Sequence, residues 1–497
     1  MAAIIRDIAA AEREPFDLIV IGGGIHGVML LLEAGLLHKR ALLLERDDFN
    51  GATSWNHLRT IHGGLRYLQS LDLPRYFESV AERRWFLANF PALVEALPCL
   101  MPLYGRGLKR ASIMRAALLL NDVLSLGRNR GVTPAQHLRC GRIVGRRFTR
   151  KSFPAVERRG LQGSALWFDG AAPEHQRLVM ELLRWACSLG GMALNYVQAE
   201  DLLQHNAQVR GVRARDLLSD TVREFRAPVV VNAAGPWCRE LAQKFDRDYP
   251  ALFRRRLLLF NVLFKRKALS AYALALVPPQ RPGHTYFVHN WKGRMLAGTG
   301  EVLLADENAS PLPQPEHIAA FLADMNDAVP ELSLGEKDIE RIYPGILPTT
   351  PGGSQASREV IVHHGDHEGP CGLYSVSGAK YTTARYVAAR ALRRVFPHAK
   401  RLTAPAPPPE ANSGRGCFPY DWDPAAADPA ALAGIASLVA EEAVVHLDDL
   451  LLRRCGLGEN RRRALELLPL LRPLIPWNDL RWQQECERAK KILTPQP

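Results

Sequence analysis

Three glycines and an acidic residue near the start of the chain have the types and spacing of a dinucleotide-binding site. Gly22, Gly24 and Gly27 follow the apolar run Leu18–Ile21, which predicts a strand, and precede a stretch that predicts a helix. The first glycine permits a tight turn, the second lets the backbone approach a pyrophosphate, and the third lets helix pack on strand. A second apolar run ends at Glu45, where a carboxylate suits ribose hydroxyls and disfavours a 2′-phosphate. The motif predicts a dinucleotide without choosing between NAD and FAD.

The composition of the whole chain is that of a soluble globular protein. Its 497 residues are 47% apolar and 23% charged, which suits two to four domains. The eight cysteines are scattered without a C-x-x-C pair or metal-ligand spacing, so we expect reduced structural thiols, a cytosolic protein and no metal. The N-terminus has acids where a signal peptide is apolar, and no apolar run approaches ~18 residues. The sequence therefore predicts neither secretion nor a membrane span.

Most of the excess positive charge lies in one segment, residues 104–160. This segment holds 14 Lys and Arg against two acids, which indicates a solvated basic face, a contact with anionic membrane, or a nucleic-acid patch. Within it, the apolar run 113–126 is flanked by arginines and predicts either a core or interdomain helix or an interfacial membrane helix. The few aromatic residues nearby, Tyr104, Phe148 and Phe153, argue against stacking on nucleic-acid bases.

Short motifs spread over most of the chain occur in an order similar to that of one flavoprotein family. They are GGGIHG, ERDDF, the Thr53-Ser54 pair, IHGGLRYL, the Phe168-Asp169 and Arg177-Leu178 pairs, VVVNAAGPWC, GRMLAGTGE and SGAKYTTAR. The chain thereby resembles the FAD-dependent glycerol-3-phosphate dehydrogenases, relatives of D-amino-acid oxidase among the glutathione-reductase-like flavoproteins. The resemblance implies a mixed α/β and antiparallel β fold. A Rossmann-type FAD-binding domain is then expected beside an antiparallel-sheet substrate domain and a C-terminal helical domain.

The resemblance and the hydrophobic pattern together predict the domain boundaries. We expect the FAD-binding domain in residues 15–110, 161–240 and 351–402, a basic segment with possible membrane contact in 111–160, the substrate domain in 241–350, a Pro-rich linker in 403–416, and the helical domain in 417–497. Helices are predicted over 73–89, near 174–188 and over 431–454, with strands over 194–226 and 254–300.

The resemblance also implies which residues bind FAD. In the family the IHGGLRYL loop runs along the isoalloxazine ring. The residues implied are Gly22, Gly24, Gly27, Glu45, Arg46, Thr53, Ser54, His62, Gly63, Gly64, Leu65, Ala199, Ala234, Gly235, Gly378, Lys380, Tyr381 and Thr382.

Five residues are candidates for catalysis: His62, Arg66, Tyr67, Arg358 and Lys380. A flavin dehydrogenase needs a base for the substrate proton and cations for an anionic substrate. His62 titrates in the useful range, although a loop histidine bonded to backbone is the alternative. Family correspondence makes Arg66 and Tyr67 substrate contacts, with Arg66 expected as a buried guanidinium that needs an anionic partner. Arg358 corresponds to an anion-binding arginine, or else forms a surface salt bridge.

Several positions depart from the family pattern. Ile346 occupies the place of an arginine associated with the substrate phosphate, and Asn261 that of an active-site histidine. Trp55, Asn56 and His57 stand where the family has small, hydroxyl-rich or lysine residues, which predicts a reshaped pocket. We therefore predict hydride transfer to flavin N5 from a small anionic hydroxy compound, with glycerol 3-phosphate not preferred.

Other functions fit the same residues. The chain could be an amine or amino-acid oxidase, an FAD-bearing protein that modifies nucleic acid, or a non-catalytic flavin scaffold. For the first prediction, the resemblance implies quinone or O2 as electron acceptor. It also implies a cytoplasmic protein, held peripherally at the cytoplasmic face of the inner membrane through anionic lipid.

Overall fold

The structure is a computed structural model that describes residues 3–105, 107–246, 255–281, 283–304, 310–349, 359–378, 380–402, 406–426 and 429–494. Arg358 lies outside these ranges. The helices are α1 Ile8–Arg13, α2 Ile25–Leu36, α3 Leu65–Gln69, α4 Leu73–Asn89, α5 Ala111–Leu124, α6 Arg146–Ser152, α7 His175–Ser188, α8 Cys238–Phe245, α9 Pro315–Ala328, α10 Ala384–Val395, α11 Pro429–Glu441, α12 Arg461–Leu471 and α13 Asp479–Ile492.

The strands form three sheets. They are β1 Leu18–Ile21, β2 Ala41–Leu44, β3 Thr60–Ile61, β4 Glu95–Leu103, β5 Arg142–Val144, β6 Gly163–Ala171, β7 Met192–Leu194, β8 Val197–His205, β9 Gln208–Asp216, β10 Thr221–Arg226, β11 Val230–Asn232, β12 Arg255–Lys267, β13 Ala273–Leu276, β14 Tyr286–Trp291, β15 Arg294–Leu303, β16 Ile339–Thr349, β17 Val360–His363 and β18 Leu373–Ser377.

The first sheet has six strands in the order β17-β18-β11-β1-β2-β7, parallel except at the β17 edge. Alternate residues of β1 and β2 point to opposite faces because the strand period is two. Leu18 and Val20 pack against α2, α7 and α10, whereas Ile19 and Ile21 pack against the three-stranded sheet β8-β9-β10. Both faces are therefore covered, which explains why β1 and β2 are apolar at every position.

The third sheet has nine strands, in the order β16-β12-β15-β14-β13-β4-β6-β3 with β5 also paired to β6. Its pairs are antiparallel except for β13 with β4. Strand β4 falls inside the segment 15–110 and β6 inside 161–240, both predicted for the FAD-binding domain. The sheet therefore contains paired strands from both sides of residues 111–160. The pairing brings Thr60-Ile61 next to Ala171 and Gly170, which places the IHGGLRYL loop at the sheet edge.

The C-terminal region is helical, but the single helix predicted over 431–454 is wrong. The helix ends at Glu441, Ala443 takes a left-handed φ of 47°, and a π-helical turn covers Asp449–Arg454. The break lets the buried carboxylate of Glu442 accept both terminal N–H groups of Arg177, at 2.8 and 2.7 Å. A buried charge pair of this kind overrides local helix propensity because leaving either partner unpaired is costly.

The C-terminal helices share one apolar core with the nine-stranded sheet. Trp55, Leu263 and Tyr343 pack in the same cluster as side chains from α11, α12 and α13. In the described part of the predicted linker, residues 406–416, Ala411 is buried and the Asn412 amide donates to Asn89 O at 3.0 Å. This part of the chain is packed against α4 rather than hanging as a spacer.

Candidate active site

A cavity of about 2190 Å³ begins at the carboxyl ends of β1 and β2 and continues along the nine-stranded sheet. Ligand pockets usually measure ~300 to 1,000 Å³, so the cavity has room for a dinucleotide and for further molecules beside it. Carboxyl ends of parallel strands are where α/β folds bind their ligands.

The glycine-rich turn closes the first end of this cavity. Gly22 has a φ of +111°, and a Cβ there would lie 2.6 Å from Ala233 O. A Cβ on Gly27 would lie 1.8 Å from Gly22 O, so Gly27 lets α2 pack onto the turn. A Cβ on Gly24 would meet only Ser54 Oγ, at 3.1 Å, among the described atoms within 4 Å. Gly24 therefore faces the open cavity, where a pyrophosphate would approach the helix N-terminus.

Glu45 stands at the end of β2 beside this turn. Its carboxylate accepts hydrogen bonds from the backbone N–H groups of Gly23, at 2.5 Å, and of Asp47, at 2.9 Å. Burial raises the pKa of Glu45, while these two hydrogen bonds oppose the rise. The next residue, Arg46, lies over the Trp237 ring, 4.5 Å from its centroid. The arrangement provides a carboxylate for ribose hydroxyls and a flat cation beside them.

The loop after Glu45 carries polar groups along the cavity wall. Ser54 Oγ accepts from Ile25 N–H at 3.0 Å, and the His57 ring stacks on Tyr381 with centroids 4.1 Å apart. Burial lowers the pKa of His57 to about 3, with the nearby charge of Arg59 adding to the effect, so the imidazole is neutral. Among the described residues, His57 Nε2, His26 Nε2 and the Tyr381 hydroxyl are buried without a hydrogen-bond partner. Since buried polar groups normally have partners, these atoms fit a polar ligand such as FAD.

His62 lies further along the cavity, within reach of a ligand because its side chain is 43% exposed. Its Nδ1 is 3.2 Å from Asp169 Oδ2, and its Nε2 is 2.9 Å from Thr60 Oγ1. Asp169 also accepts from Gly63 N–H and from Arg83, each at 2.7 Å. Burial alone would raise the pKa of Asp169, but the contacts with His62, Arg83 and Gly63 hold it well below its usual range. The carboxylate therefore keeps the proton of His62 on Nδ1 and leaves Nε2 as the basic nitrogen.

Two cationic groups lie on the same stretch of wall. Lys380 Nζ is 3.9 Å from the centroid of the Tyr67 ring, and burial, helped by the charge of Arg75, lowers the pKa of Lys380 to about 8. Arg66 also lines the cavity, but the prediction of a buried guanidinium is wrong because Arg66 is exposed. The short helix α3 turns Leu68 towards the core and leaves Arg66 at the rim.

The two positions that depart from the family pattern both line the cavity. Asn261 Nδ2 donates to Asn56 O at 2.9 Å, and Asn261 Oδ1 accepts from the Thr299 hydroxyl at 3.2 Å. Ile346 packs in an apolar cluster with Leu258 and Leu304. At these positions the cavity wall therefore presents the Asn261 amide, which is already hydrogen-bonded to neighbouring groups, and the apolar side chain of Ile346.

The structure brings most of the predicted site residues together. The cavity wall includes Gly22, Gly24, Glu45, Arg46, Thr53, Ser54, His62, Gly64, Leu65, Arg66, Tyr67, Ala199, Ala234, Gly235, Gly378, Lys380, Tyr381 and Thr382. Gly27 and Gly63 lie behind the wall, where a Cβ on Gly63 would be 1.9 Å from the Arg83 guanidinium. Arg358 is outside the described residues.

Sequence reasoning missed several groups of this wall. Asp169 was noted only as part of a motif, and its pairing with His62 depends on the β3-β6 register, which no local signal reveals. Trp167 and Phe287 also line the cavity; Trp167 lies on β6 with Asp169, and Phe287 comes from a further strand, β14. Long-range strand pairing, which the sequence does not announce, assembles these side chains.

Comparison with known proteins agrees with this geometry. The family model described as "DAO: FAD dependent oxidoreductase" matches residues 17–392. The chain belongs to this family of FAD-dependent oxidoreductases. The expected family, fold class, enzymatic nature and FAD cofactor are thereby confirmed.

Relatives of this FAD-dependent oxidoreductase include glycerol-3-phosphate dehydrogenases. It is 30% identical over 421 residues to one from Synechocystis, a match covering 81% of this chain and 74% of that protein. It is 31% identical to glycerol-3-phosphate dehydrogenase 1 of Mycobacterium tuberculosis over 403 residues, covering 78% and 74%. The Bacillus halodurans glycerol-3-phosphate dehydrogenase, solved in complex with FAD, shares the fold with a TM-score of 0.71 at 20% identity, covering 98% and 96%.

Proposed function

We propose that this FAD-dependent oxidoreductase oxidises a small anionic hydroxy compound, and that glycerol 3-phosphate is not its preferred substrate. The observation that carries the proposal is the cavity wall at Ile346 and Asn261. An isoleucine packed among leucines offers no hydrogen bond to a phosphate. The Asn261 amide already has partners on both its nitrogen and its oxygen. A substrate whose anionic group lies elsewhere, or that presents an apolar part to Ile346, suits this wall better.

The proposed reaction uses His62 as the base. FAD, when bound, supplies the hydride acceptor at N5. His62 Nε2 takes the hydroxyl proton, and the Asp169 carboxylate stabilises the imidazolium that results because it already accepts from Nδ1. In the structure the Thr60 hydroxyl is hydrogen-bonded to His62 Nε2, so it must rotate away when substrate binds.

Cations on the wall support an anionic substrate. Lys380 is charged below its pKa of about 8, and Arg66 at the rim attracts anions towards the cavity. Arg358 keeps its proposed anion-binding role as an expectation from the family pattern alone.

Steady-state kinetics test the substrate proposal. We expect a kcat/KM for glycerol 3-phosphate below the range of ~10⁴ to 10⁸ M⁻¹s⁻¹ that is usual for an enzyme and its own substrate. The double change Ile346→Arg with Asn261→His should raise that value by about tenfold or more, since one charge-assisted contact contributes ~1.5 to 3 kcal/mol. Val302→Arg is the control, because Val302 packs against the same apolar cluster. Wild-type efficiency within the usual range would overturn the proposal.

A substrate screen separates this reaction from the amine-oxidase alternative. Anaerobic bleaching of the flavin is measured with a panel of hydroxy acids, phosphorylated alcohols, amino acids and amines. Bleaching by anionic hydroxy compounds supports the proposal. Faster bleaching by amines or amino acids favours the alternative, and no bleaching by any compound favours a non-catalytic scaffold.

We also propose that the enzyme binds anionic membrane through an apolar patch formed by α4, α5 and the residues that flank them. The patch contains Leu71, Leu73, Phe77, Ile113, Leu119, Leu120, Val123 and Leu126, all exposed. Leu126 is 82% exposed, Leu71 75% and Leu119 66%, whereas soluble proteins rarely gather so many large apolar side chains at the surface. The Tyr76 hydroxyl donates to Asn121 O at 2.9 Å and so joins the two helices.

The charge around this apolar patch supports a lipid partner. Arg110, Arg115 and Arg130 are exposed beside it. Arg128 differs, because its guanidinium is buried and bonds Leu138 O and Asp122. In the described residues no helix has the length and apolar character needed to span a bilayer. An interfacial helix with flanking cations matches peripheral binding to the cytoplasmic face of a membrane.

Sedimentation with vesicles tests the membrane proposal. Binding to anionic vesicles should weaken as salt rises from 0.1 to 1 M, where the Debye length falls from ~10 to ~3 Å, and a salt-resistant part should remain. Leu119→Ser with Leu126→Ser should remove that part. The control pair Leu217→Ser with Leu218→Ser changes exposed leucines in the turn between β9 and β10 and should leave that part unchanged. Equal binding to neutral and anionic vesicles, or none to either, would contradict the proposal.

The inner face of α5 supports quinone rather than O2 as the acceptor. Met114 lies with Leu118 on the buried side of α5, and it lines the cavity together with Met101, Tyr104 and Phe153. These apolar side chains of the cavity wall suit a lipid-soluble ring. Reoxidation of the reduced enzyme by a short-chain quinone should outpace reoxidation by air-saturated buffer; the reverse order would favour O2.

A further inference from the structure

We infer that Arg453 and Arg454 of the C-terminal helical region hold the loop 48–55 in the shape that retains FAD. The loop separates the cofactor cavity from the π-helical turn that carries both arginines. The two arginines are positioning residues, since they touch the loop and not the cavity.

The inner side of the loop is part of the cofactor site. Gly51, Thr53 and Ser54 line the cavity. Ser54 Oγ holds the first N–H of α2, and the backbone N–H of Asn50 donates to Gly23 O at 2.9 Å. The glycine turn and the loop therefore move together, and a displaced loop would misplace the groups that face a pyrophosphate.

A bidentate ion pair holds the outer side of the loop. Arg454 donates from Nη1 to Asp48 Oδ2 at 2.6 Å and from Nη2 to Asp48 Oδ1 at 2.8 Å. Both side chains are buried, and Asn195 also donates to Asp48 Oδ1 at 2.9 Å. Arg454 is itself fixed by its Nε, which donates to Glu442 O at 2.8 Å. The planar fork of an arginine fixes a carboxylate in orientation as well as in position.

Arg453 contacts the same loop at two further points. Its guanidinium lies 4.5 Å from the centroid of the Trp55 ring, and its Nη2 donates to Gly51 O at 3.4 Å. Gly51 lies at the cavity and Trp55 packs in the core shared with the C-terminal helices. The C-terminal region thus fixes the loop at Asp48, Gly51 and Trp55, on both sides of its cavity-lining residues.

If Arg454 only stabilised the contact between the C-terminal region and the rest of the chain, loss of any other buried ion pair there would lower FAD affinity equally. Arg184 provides the comparison, because it is buried and donates to the same Glu442, at 3.1 Å, from α7. Within the described residues Arg184 forms ion pairs with Glu181, Glu441 and Glu442, and none of these acids belongs to the loop. Loss of Arg184 should destabilise the interface without moving the loop.

The experiment compares Arg454→Met and Asp48→Asn with Arg184→Met in the full chain. FAD affinity is measured by titrating FAD into apoprotein and following the quenching of flavin fluorescence, and the thermal midpoint of each apoprotein is recorded. We expect Arg454→Met and Asp48→Asn, the two loop variants, to bind FAD at least about tenfold more weakly than Arg184→Met. The thermal midpoints of the three apoproteins should be similar. Arg454→Lys should recover part of the affinity because it keeps the charge and loses the fork.

Two results would overturn the inference: equal losses of FAD affinity in Arg184→Met and Arg454→Met, or wild-type affinity in both loop variants. If Arg454→Met does not fold, Arg453→Met replaces it, because Arg453 contacts the loop through one long hydrogen bond and a ring. The titration contains no substrate, so its outcome is independent of the substrate proposal.

Discussion

The two ends of the cavity are built in different ways. The dinucleotide end is made largely of backbone and small residues, and its glycine turn, Glu45 and the loop after it follow one another within about 40 residues. The other end is made of side chains from strands distant in sequence: His62 next to β3, Asp169 on β6, Asn261 on β12 and Ile346 on β16. The first end binds through a turn that few residues can form. The second can change its chemistry by single substitutions without disturbing any turn.

The largest expected effect comes from glycine substitutions at the dinucleotide end. Gly24→Val should leave the apoprotein folded, because only Ser54 Oγ is near the added Cβ within the described structure. It should nevertheless abolish measurable FAD retention, since the side chain fills the pyrophosphate approach. Purified wild-type protein should be yellow and release FAD on heating, whereas the variant should be colourless with a nearly unchanged apoprotein melting curve.

Gly27→Ala is the matched control for that experiment. Its Cβ would lie 1.8 Å from Gly22 O, so the backbone itself must shift. We expect a loss of stability of about 1 to 3 kcal/mol in the apoprotein, seen as a lower thermal midpoint. If Gly24→Val and Gly27→Ala instead lose stability equally, the loss of FAD in Gly24→Val would be explained by a damaged turn and not by a blocked pyrophosphate site.

At the substrate end, His62→Gln should lower kcat by ~10²- to 10⁴-fold, the usual contribution of a general base. The flavin absorption spectrum should persist, because the dinucleotide end is untouched. His284→Gln is the control: His284 also lines the cavity, but its Nε2 lies 3.1 Å from a backbone oxygen, Thr299 O, and not beside a carboxylate. Comparable losses in the two variants would remove His62 from the role of base.

Much of the fold was predictable because local patterns determine it. The helix predicted over 73–89 is observed as Leu73–Asn89, and the long helix predicted near 174–188 as His175–Ser188. Both strands beside the glycine turn and the strands over 194–226 are also present. Apolar periodicity reports which face of an element is buried, and glycine reports where the backbone must turn.

What the sequence could not reveal depends on contacts between distant residues. The helix breaks after Glu441 where the Glu442 carboxylate forms a buried ion pair with Arg177, 265 positions away. The pairing of His62 with Asp169 joins residues 107 positions apart through the sheet. The exposure of Arg66 follows from the short helix α3, which buries Leu68 and leaves Arg66 on its exposed side. Each is decided by tertiary packing, which a local pattern does not encode.

The smallest expected effect is a pH dependence set by Lys380 at the substrate end. Burial, with the charge of Arg75 adding, lowers the pKa of Lys380 to about 8 while Glu78 opposes the shift. The ammonium group is therefore charged at pH 7 and mostly neutral at pH 9, so KM for an anionic substrate should rise by up to about tenfold across that range.

The variants of Lys380 show whether that charge is responsible. Lys380→Arg keeps a positive charge at both pH values and should give a flat KM. Lys380→Met should give a KM that is already high at pH 7 and does not rise further. The measurement uses the best anionic compound from the bleaching panel and follows KM separately from kcat, since a lost ground-state contact moves KM first. A wild-type KM that stays flat, or an equal rise in Lys380→Arg, would show that the charge of Lys380 does not bind the substrate.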